Sequence, residues 1–222
     1  MRKLLWLGGF LILLTGGFYY FLFAGTDYYK VKLPVLSYVQ DFSFINQNGK
    51  AITQKDITGN VYVVEYFFTT CKGICPKMNE NMKTVYDKFK NEKDFKIISH
   101  TCMPETDSVP LLKAYEKKLL GDSASTQTKI NWYFVTGSKD SLYKMARESY
   151  LLDNEKNNSG NIQDQFIHTQ FFALVDKKGQ VRGVYDALKT DEIQKLEKDI
   201  EDLLKENDGK VFNNSPFTNN PN

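Results

Sequence analysis

The stretch "NVYVVEYFF", residues 60–68, restricts the fold more than any other part of the chain. It is β-branched and aromatic with little alternation, the pattern of a strand buried on both faces of a sheet. A domain built around such a strand must cover both sides of it. The segment immediately after the strand is equally specific: "TTCKGICPKM" places Cys71 and Cys75 four positions apart, with Pro76 where a first helical turn tolerates proline. Met78, Met82, Val85 and Phe89 then recur at helical spacing. The cysteine pair therefore lies between a central strand and a helix N-terminus.

The rest of the chain repeats the alternation. "FKIISHT" and "INWYFVTG" read as apolar strands. "SVPLLKAYEKKL" and "SKDSLYKMARESY" read as helices, the second capped by Ser138. Upstream, "LSYVQDFSFINQNGKAIT" alternates around an Asn-Gly turn signal and predicts a β-hairpin. Downstream, "QFFALVDKKGQVRGVYD" predicts two strands around a Lys-Gly turn, and "TDEIQKLEKDIEDLLKEN" an amphipathic C-terminal helix opened by Thr190. The expected fold class is α/β, with a central mostly parallel sheet, antiparallel edge hairpins and flanking helices. In such sheets ligands gather at the carboxyl ends of the strands, where the cysteines stand. Between residues 151 and 168 a polar, breaker-rich loop is long enough to suggest a functional or mobile segment.

The N-terminus is of another kind. Arg2 and Lys3 precede an uncharged stretch from Leu4 to Gly25, about the length that crosses a bilayer. The run is longer than a signal-peptide core and is followed by a poor cleavage site. No cysteine follows it to carry a lipid. The expected organisation is a membrane anchor over residues 1–25, a tether over 26–36, one domain over 37–206 and a disordered tail over 207–222. The two basic residues keep their end in the cytoplasm and place the domain on the exported side of the cell membrane. A net charge of +2 among 222 residues, with lysines interleaved among acids, points to no nucleic acid partner.

Export bears on the three cysteines, because thiols outside the cytoplasm tend to be oxidised unless a reductase or a metal keeps them otherwise. A disulfide across so short a loop would remove little chain entropy, so a purely architectural staple explains the pair poorly. A helix N-terminus favours thiolate, with Lys72 able to contribute, and a thiolate both ligates soft metals and attacks disulfides. The pair alone leaves metal and redox chemistry open. Of the two histidines, His168 follows the long loop and precedes a strand of the same sheet. Two thiolates and one imidazole would suit Cu(I) and could also take Cu(II). His100 and Cys102 form a competing constellation: two apart on one strand, they could complete a zinc site or belong to the core. Glu65 is an acid in an apolar run and needs a partner. Trp132 reads as core.

Together these segments resemble the Sco/SenC family, membrane-tethered thioredoxin-like proteins that bind copper and assist cytochrome oxidase assembly. "FFTTCKGICPKM" is similar to that family's Cys-x-x-x-Cys-Pro motif, and "IHTQFFALVDKKGQV" to its later His-Ser/Thr segment. "PETDSVPLLKAY" and "NWYFVTGSKDSL" resemble two intermediate segments, so the likeness covers roughly residues 40–205. It implies a thioredoxin-like fold, copper held by Cys71, Cys75 and His168, and delivery to a terminal cytochrome oxidase subunit. Apart from the resemblance, a thiol reductase is a further candidate partner for the redox pair Cys71 and Cys75, since exported thiols otherwise tend to oxidise. The chain departs from the family pattern at Cys102 and Met103, where Val-Asp is common, and at Ile167, where Asp often precedes the histidine. The added sulfurs raise a further soft ligand or a resolving thiol. Thiol–disulfide exchange on oxidase cysteines is the alternative activity. A non-catalytic interaction module is a third reading, and a peroxidase lacks an evident catalytic arginine or base.

Overall fold

The computed structural model describes residues 2–23, 33–121, 131–153 and 169–206. It divides into two units, Met1–Leu33 and Pro34–Asn222. The expected tail lies outside the described residues, as does most of the expected tether and of the long loop.

In the first unit, helix α1 runs from Arg2 to Phe23, 22 residues or about 33 Å at 1.5 Å per residue. Its described side chains are Lys3 and Trp6 to Phe21, and all of them are exposed, from Trp6 and Phe10 to Tyr20 and Phe21. The hydroxyl of Thr15 donates back to the carbonyl of Leu11 at 2.8 Å, so this side-chain donor is satisfied within the helix. Among the described residues no helix is long and apolar enough to cross a membrane.

The second unit is an eight-stranded mixed sheet. Its strands are β1 (Ser37–Tyr38), β2 (Ser43–Asn46), β3 (Ala51–Thr53), β4 (Val61–Phe67), β5 (Phe95–Thr101), β6 (Trp132–Thr136), β7 (Phe171–Val175) and β8 (Gln180–Asp186). Their order is β1-β8-β7-β4-β5-β6-β2-β3. The three central strands β4, β5 and β6 run parallel, with Phe67 beside Thr101 and His100 beside Val135. Antiparallel hairpins occupy both sides. The β2–β3 hairpin packs on β6, and β7–β8 packs on β4. Both hairpins turn by the same device, an acceptor side chain that closes its own turn. Asn46 Oδ1 accepts from the amides of Asn48 and Lys50, and Asp176 Oδ1 from those of Lys178 and Gln180. Gly49 and Gly179 supply the positive φ angles, 72° and 74°.

The first hairpin is shorter than the alternation from Leu36 onward predicts. Residues 37 and 38 do not extend the first hairpin; they pair with β8 at the opposite edge, Ser37 beside Val181. The amides of Leu36 and Val39 donate to Val181 and Gly179 and draw the segment there.

β4 is buried at all seven positions, as its composition requires. Tyr62, Val64 and Tyr66 pack with Leu142, Tyr143 and Met145. Those partners come from helix α5 (Lys139–Lys144) and the π-helical turn Met145–Ser149 that continues it. The alternate residues face helices α3 (Cys75–Phe89), α4 (Val109–Leu120) and α6 (Thr190–Lys205). On that side Phe67 meets Tyr115 of α4 at 5.1 Å, and Trp132 of β6 meets Tyr86 of α3 at 5.4 Å. A short helix α2 (Gln54–Ile57) carries a Thr53–Asp56 capping box. Ser138 caps α5 as expected, accepting from the amide of Ser141 at 3.2 Å.

Candidate metal and thiol site

The site is built where β4 runs out. The Cys71 amide donates to the Phe68 carbonyl at 3.2 Å, which folds the chain back into a turn. Cys75 is the first residue of α3 and Pro76 the second, where a missing amide leaves no helical bond unmade. The turn is fastened from outside by Asp107, which is fully buried. Its carboxylate accepts from the Thr69 hydroxyl at 2.5 Å and amide at 3.2 Å, and from the Thr101 hydroxyl at 2.5 Å. One carboxylate thus ties the cysteine turn to the end of β5. The turn of α3 beyond Cys75 is held by Asn79, whose Nδ2 donates to the Cys75 carbonyl at 2.8 Å and to the Tyr115 hydroxyl at 3.0 Å.

All three cysteines are free thiols. Cys71 is half-buried, Cys75 and Cys102 are buried, and all three border one cleft of about 340 Å³. Phe68, Ile74 and Thr169 line the same space. A second cleft of about 190 Å³ reaches Cys71 from the side of Thr69, Asn79 and Tyr115. Burial, and then a hydrogen bond with Cys71, push the Cys75 thiol up to about 12. The helix N-terminus was expected to lower it. Desolvation wins because Cys75 sits under the turn rather than at its surface. Burial likewise drives the Cys102 thiol well above its ordinary value.

Of the other candidates, Glu65 has its partner: Ser99 Oγ donates to Oε1 at 2.6 Å, and Trp132 Nε1 donates to Ser99 Oγ at 2.7 Å. Its Oε2 has no hydrogen-bond partner among the described residues, and burial raises the carboxyl to about 7. His100 is a core residue. It is fully buried and stacks on Tyr66 at 4.9 Å, with Phe44 at 5.3 Å and Tyr150 at 5.4 Å. Burial pulls its imidazole down to about 3. The zinc constellation built on His100 and Cys102 does not assemble: Cys102 reaches the cleft and His100 does not. His168 lies outside the described residues, and Thr169, the next residue, borders the cleft. Among the described residues no group of three or more His, Cys, Asp or Glu side chains is placed to hold a metal ion. The residue that sequence reading missed is Asp107. Its signal was available in "PETDSVP", an acid set among breakers just before a helix.

A mixed sheet with parallel central strands, helices on both faces and two free thiols at the strand-to-helix junction define a thioredoxin-like thiol protein. The SCO1/SenC family model matches residues 32–205, and the chain belongs to that family. It is 30% identical over 178 residues to a SCO1 protein homolog of Bacillus subtilis, covering 79% of this chain and 87% of the relative. The solved structure of a SCO1/SenC family lipoprotein from Bacillus anthracis superposes with a TM-score of 0.64 at 29% identity, over 78% of this chain and 99% of that one. BsSco, described as a member of the Sco family of cytochrome c oxidase assembly proteins with a disulfide switch, gives 0.62 at 28% identity, over 80% and 99%. Arabidopsis thaliana ScoI, solved with copper bound, shares the fold at 20% identity and a TM-score of 0.54, over 75% and 99%.

Proposed function

We propose that the chain is a copper chaperone that holds the metal through Cys71, Cys75 and His168 and passes it to the copper centre of a terminal cytochrome oxidase subunit. The observation that carries this reading is the cleft. Two free thiols four positions apart in the chain border it, and so does Thr169, the residue covalently joined to His168. The donor set fits the cargo. Two sulfurs and an imidazole are soft ligands, and a three-coordinate site keeps copper exchangeable where a fourth protein ligand would close it. Cys71, half-exposed, is the donor that a recipient's ligands reach first. Cys75 must give up a tightly held proton when metal binds, so uptake is coupled to proton release. Asp107 keeps the turn in register with β5 while the ligands exchange.

What supports a membrane anchor holding the domain on the exported side is the sequence, an uncharged run from Leu4 to Gly25 behind Arg2 and Lys3.

A second reading, thiol–disulfide exchange on an oxidase subunit's cysteines, is favoured by the free state of all three thiols. Anaerobic Cu(I) titration of the full chain against a competing chelator separates the two. Copper affinity lost with any one of Cys71→Ser, Cys75→Ser or His168→Ala supports the chaperone. Full-affinity binding in His168→Ala, with reductase activity lost only in the cysteine variants, supports the redox reading.

A further inference from the structure

Cys102 is left over by the copper site; it belongs to the buried core cluster with Tyr66 and Tyr143, and it also borders the cleft of the cysteine pair. The β4–β5 ladder ends with Phe67 beside Thr101. One further bond, from the Cys102 amide to the Phe67 carbonyl at 2.8 Å, carries it past the end of the strands. Cys102 therefore stands abreast of Phe68, the residue whose carbonyl receives the Cys71 amide. Cys71 follows the end of β4 by four residues, and Cys102 follows the end of the neighbouring strand β5 directly. Asp107 clamps Thr69 on the Cys71 side and Thr101 on the Cys102 side, so both backbones are fixed to a common point. The Cys102 carbonyl is pinned as well, accepting from the Tyr143 hydroxyl at 3.1 Å. With 3% of its surface exposed, Cys102 borders the cleft into which Cys71 and Cys75 open.

We infer that Cys102 is a second resolving thiol, able to close a disulfide with Cys71 when Cys75 is occupied or absent. The substrate class is a disulfide, on a protein or a small thiol. In the first step the Cys71 thiolate attacks one sulfur of R–S–S–R, forming Cys71–S–S–R and releasing RS⁻, which takes up a proton. In the second the Cys102 thiol loses its proton and attacks the Cys71 sulfur. The Cys71–Cys102 disulfide forms, and the second RS⁻ leaves and is protonated. Two electrons pass from the cysteine pair to the substrate, which departs as two RSH. A disulfide needs its α-carbons within about 4.4–6.8 Å, so closure requires the turn beyond Thr69, which lies outside any regular element, to bring Cys71 within that span of Cys102. The chain would keep a dithiol in working order while Cys75 is committed elsewhere. The inference goes beyond the copper reading and involves no metal, so its failure leaves that reading intact.

The test is disulfide mapping by peptide mass on the full-length Cys75→Ser chain, reduced, freed of metal with chelator and treated with oxidised glutathione. The expected result is a Cys71–Cys102 disulfide with two glutathiones released per chain. In Cys75→Ser/Cys102→Ala, one is released and the other stays on Cys71. A lasting glutathione adduct on Cys71 of Cys75→Ser, with Cys102 still open to alkylation after denaturation, would overturn the inference. Cys75→Ala, run in parallel, gives the same reading if the serine hydroxyl disturbs the start of α3.

Discussion

His100 and Cys102 are two residues apart at one strand end and buried beside the same aromatic cluster, yet only Cys102 borders the cleft. His100 is enclosed by Tyr66, Phe44 and Tyr150, and burial keeps the imidazole neutral. Cys102 passes the end of the ladder and reaches a cleft shared with two other sulfurs. Residue type alone would make both of them ligands. The cleft decides between them: both are buried, but only the residue whose surface borders the cleft can meet the other two sulfurs.

The contrast can be broken most decisively at its open end. Cys71→Ser should lower Cu(I) affinity by at least about a thousandfold, roughly 4 kcal/mol, in competitive titration. It should shift urea stability by no more than about 1 kcal/mol, since the side chain is only half-buried. His100→Ala should do the reverse. By analogy with aromatic truncations in cores, it should cost about 3 kcal/mol of stability and leave copper affinity within about twofold. Loss of copper binding in a folded His100→Ala chain would erase the distinction between the two regions. Asp107→Ala sits between them, because it unties the open turn from the closed sheet. Removing the carboxylate leaves the Thr69 and Thr101 hydroxyls without their acceptor, which should cost about 2 kcal/mol and weaken copper binding by about tenfold.

Smaller effects come from pH, and there the two faces of the sheet oppose each other. Glu65 keeps its proton to about 7 when folded and loses it near 4.5 when unfolded. The native chain holds the extra proton in that window, so this group's contribution falls as pH rises through it. His100 takes up a proton near 6.5 unfolded and only near 3 folded. Its contribution is full above about 6.5 and is lost as pH falls toward 3. Glu65→Gln should therefore gain stability over the parent at pH 8, on the order of 1–3 kcal/mol, and little at pH 4. Urea midpoints across pH 4–8 check this, and a Gln variant with the parent's profile would contradict it. Copper should also report the closed thiol: each proton released from Cys75 raises apparent affinity about tenfold per pH unit below its pKa.

Much of this arrangement could be read from the chain itself. The run through Glu65, the Pro76 helix start and both turn signals mark local structure with local chemistry, and each falls where periodicity and turn residues place it. What escaped depended on distant partners. Residues 37 and 38 look like the start of a hairpin because alternation does not say which edge a strand will find. The π-helical turn after Lys144 leaves no mark in helical spacing. Cys75 was expected to be acidified by the helix, but its burial depends on how the turn folds over it. Asp107 needed Thr69, 38 positions away in the chain, to show its purpose.

The proposed function stands on copper bridging the cysteine turn and an imidazole from the far end of the chain. Copper K-edge X-ray absorption on the full chain, loaded anaerobically with one equivalent of Cu(I), reads that bridge neighbour by neighbour. Two sulfur neighbours and one nitrogen neighbour are expected, with the nitrogen absent in His168→Ala and one sulfur lost in Cys75→Ser. A spectrum that keeps its nitrogen in His168→Ala, or its two sulfurs in Cys75→Ser, would refute the three-ligand site.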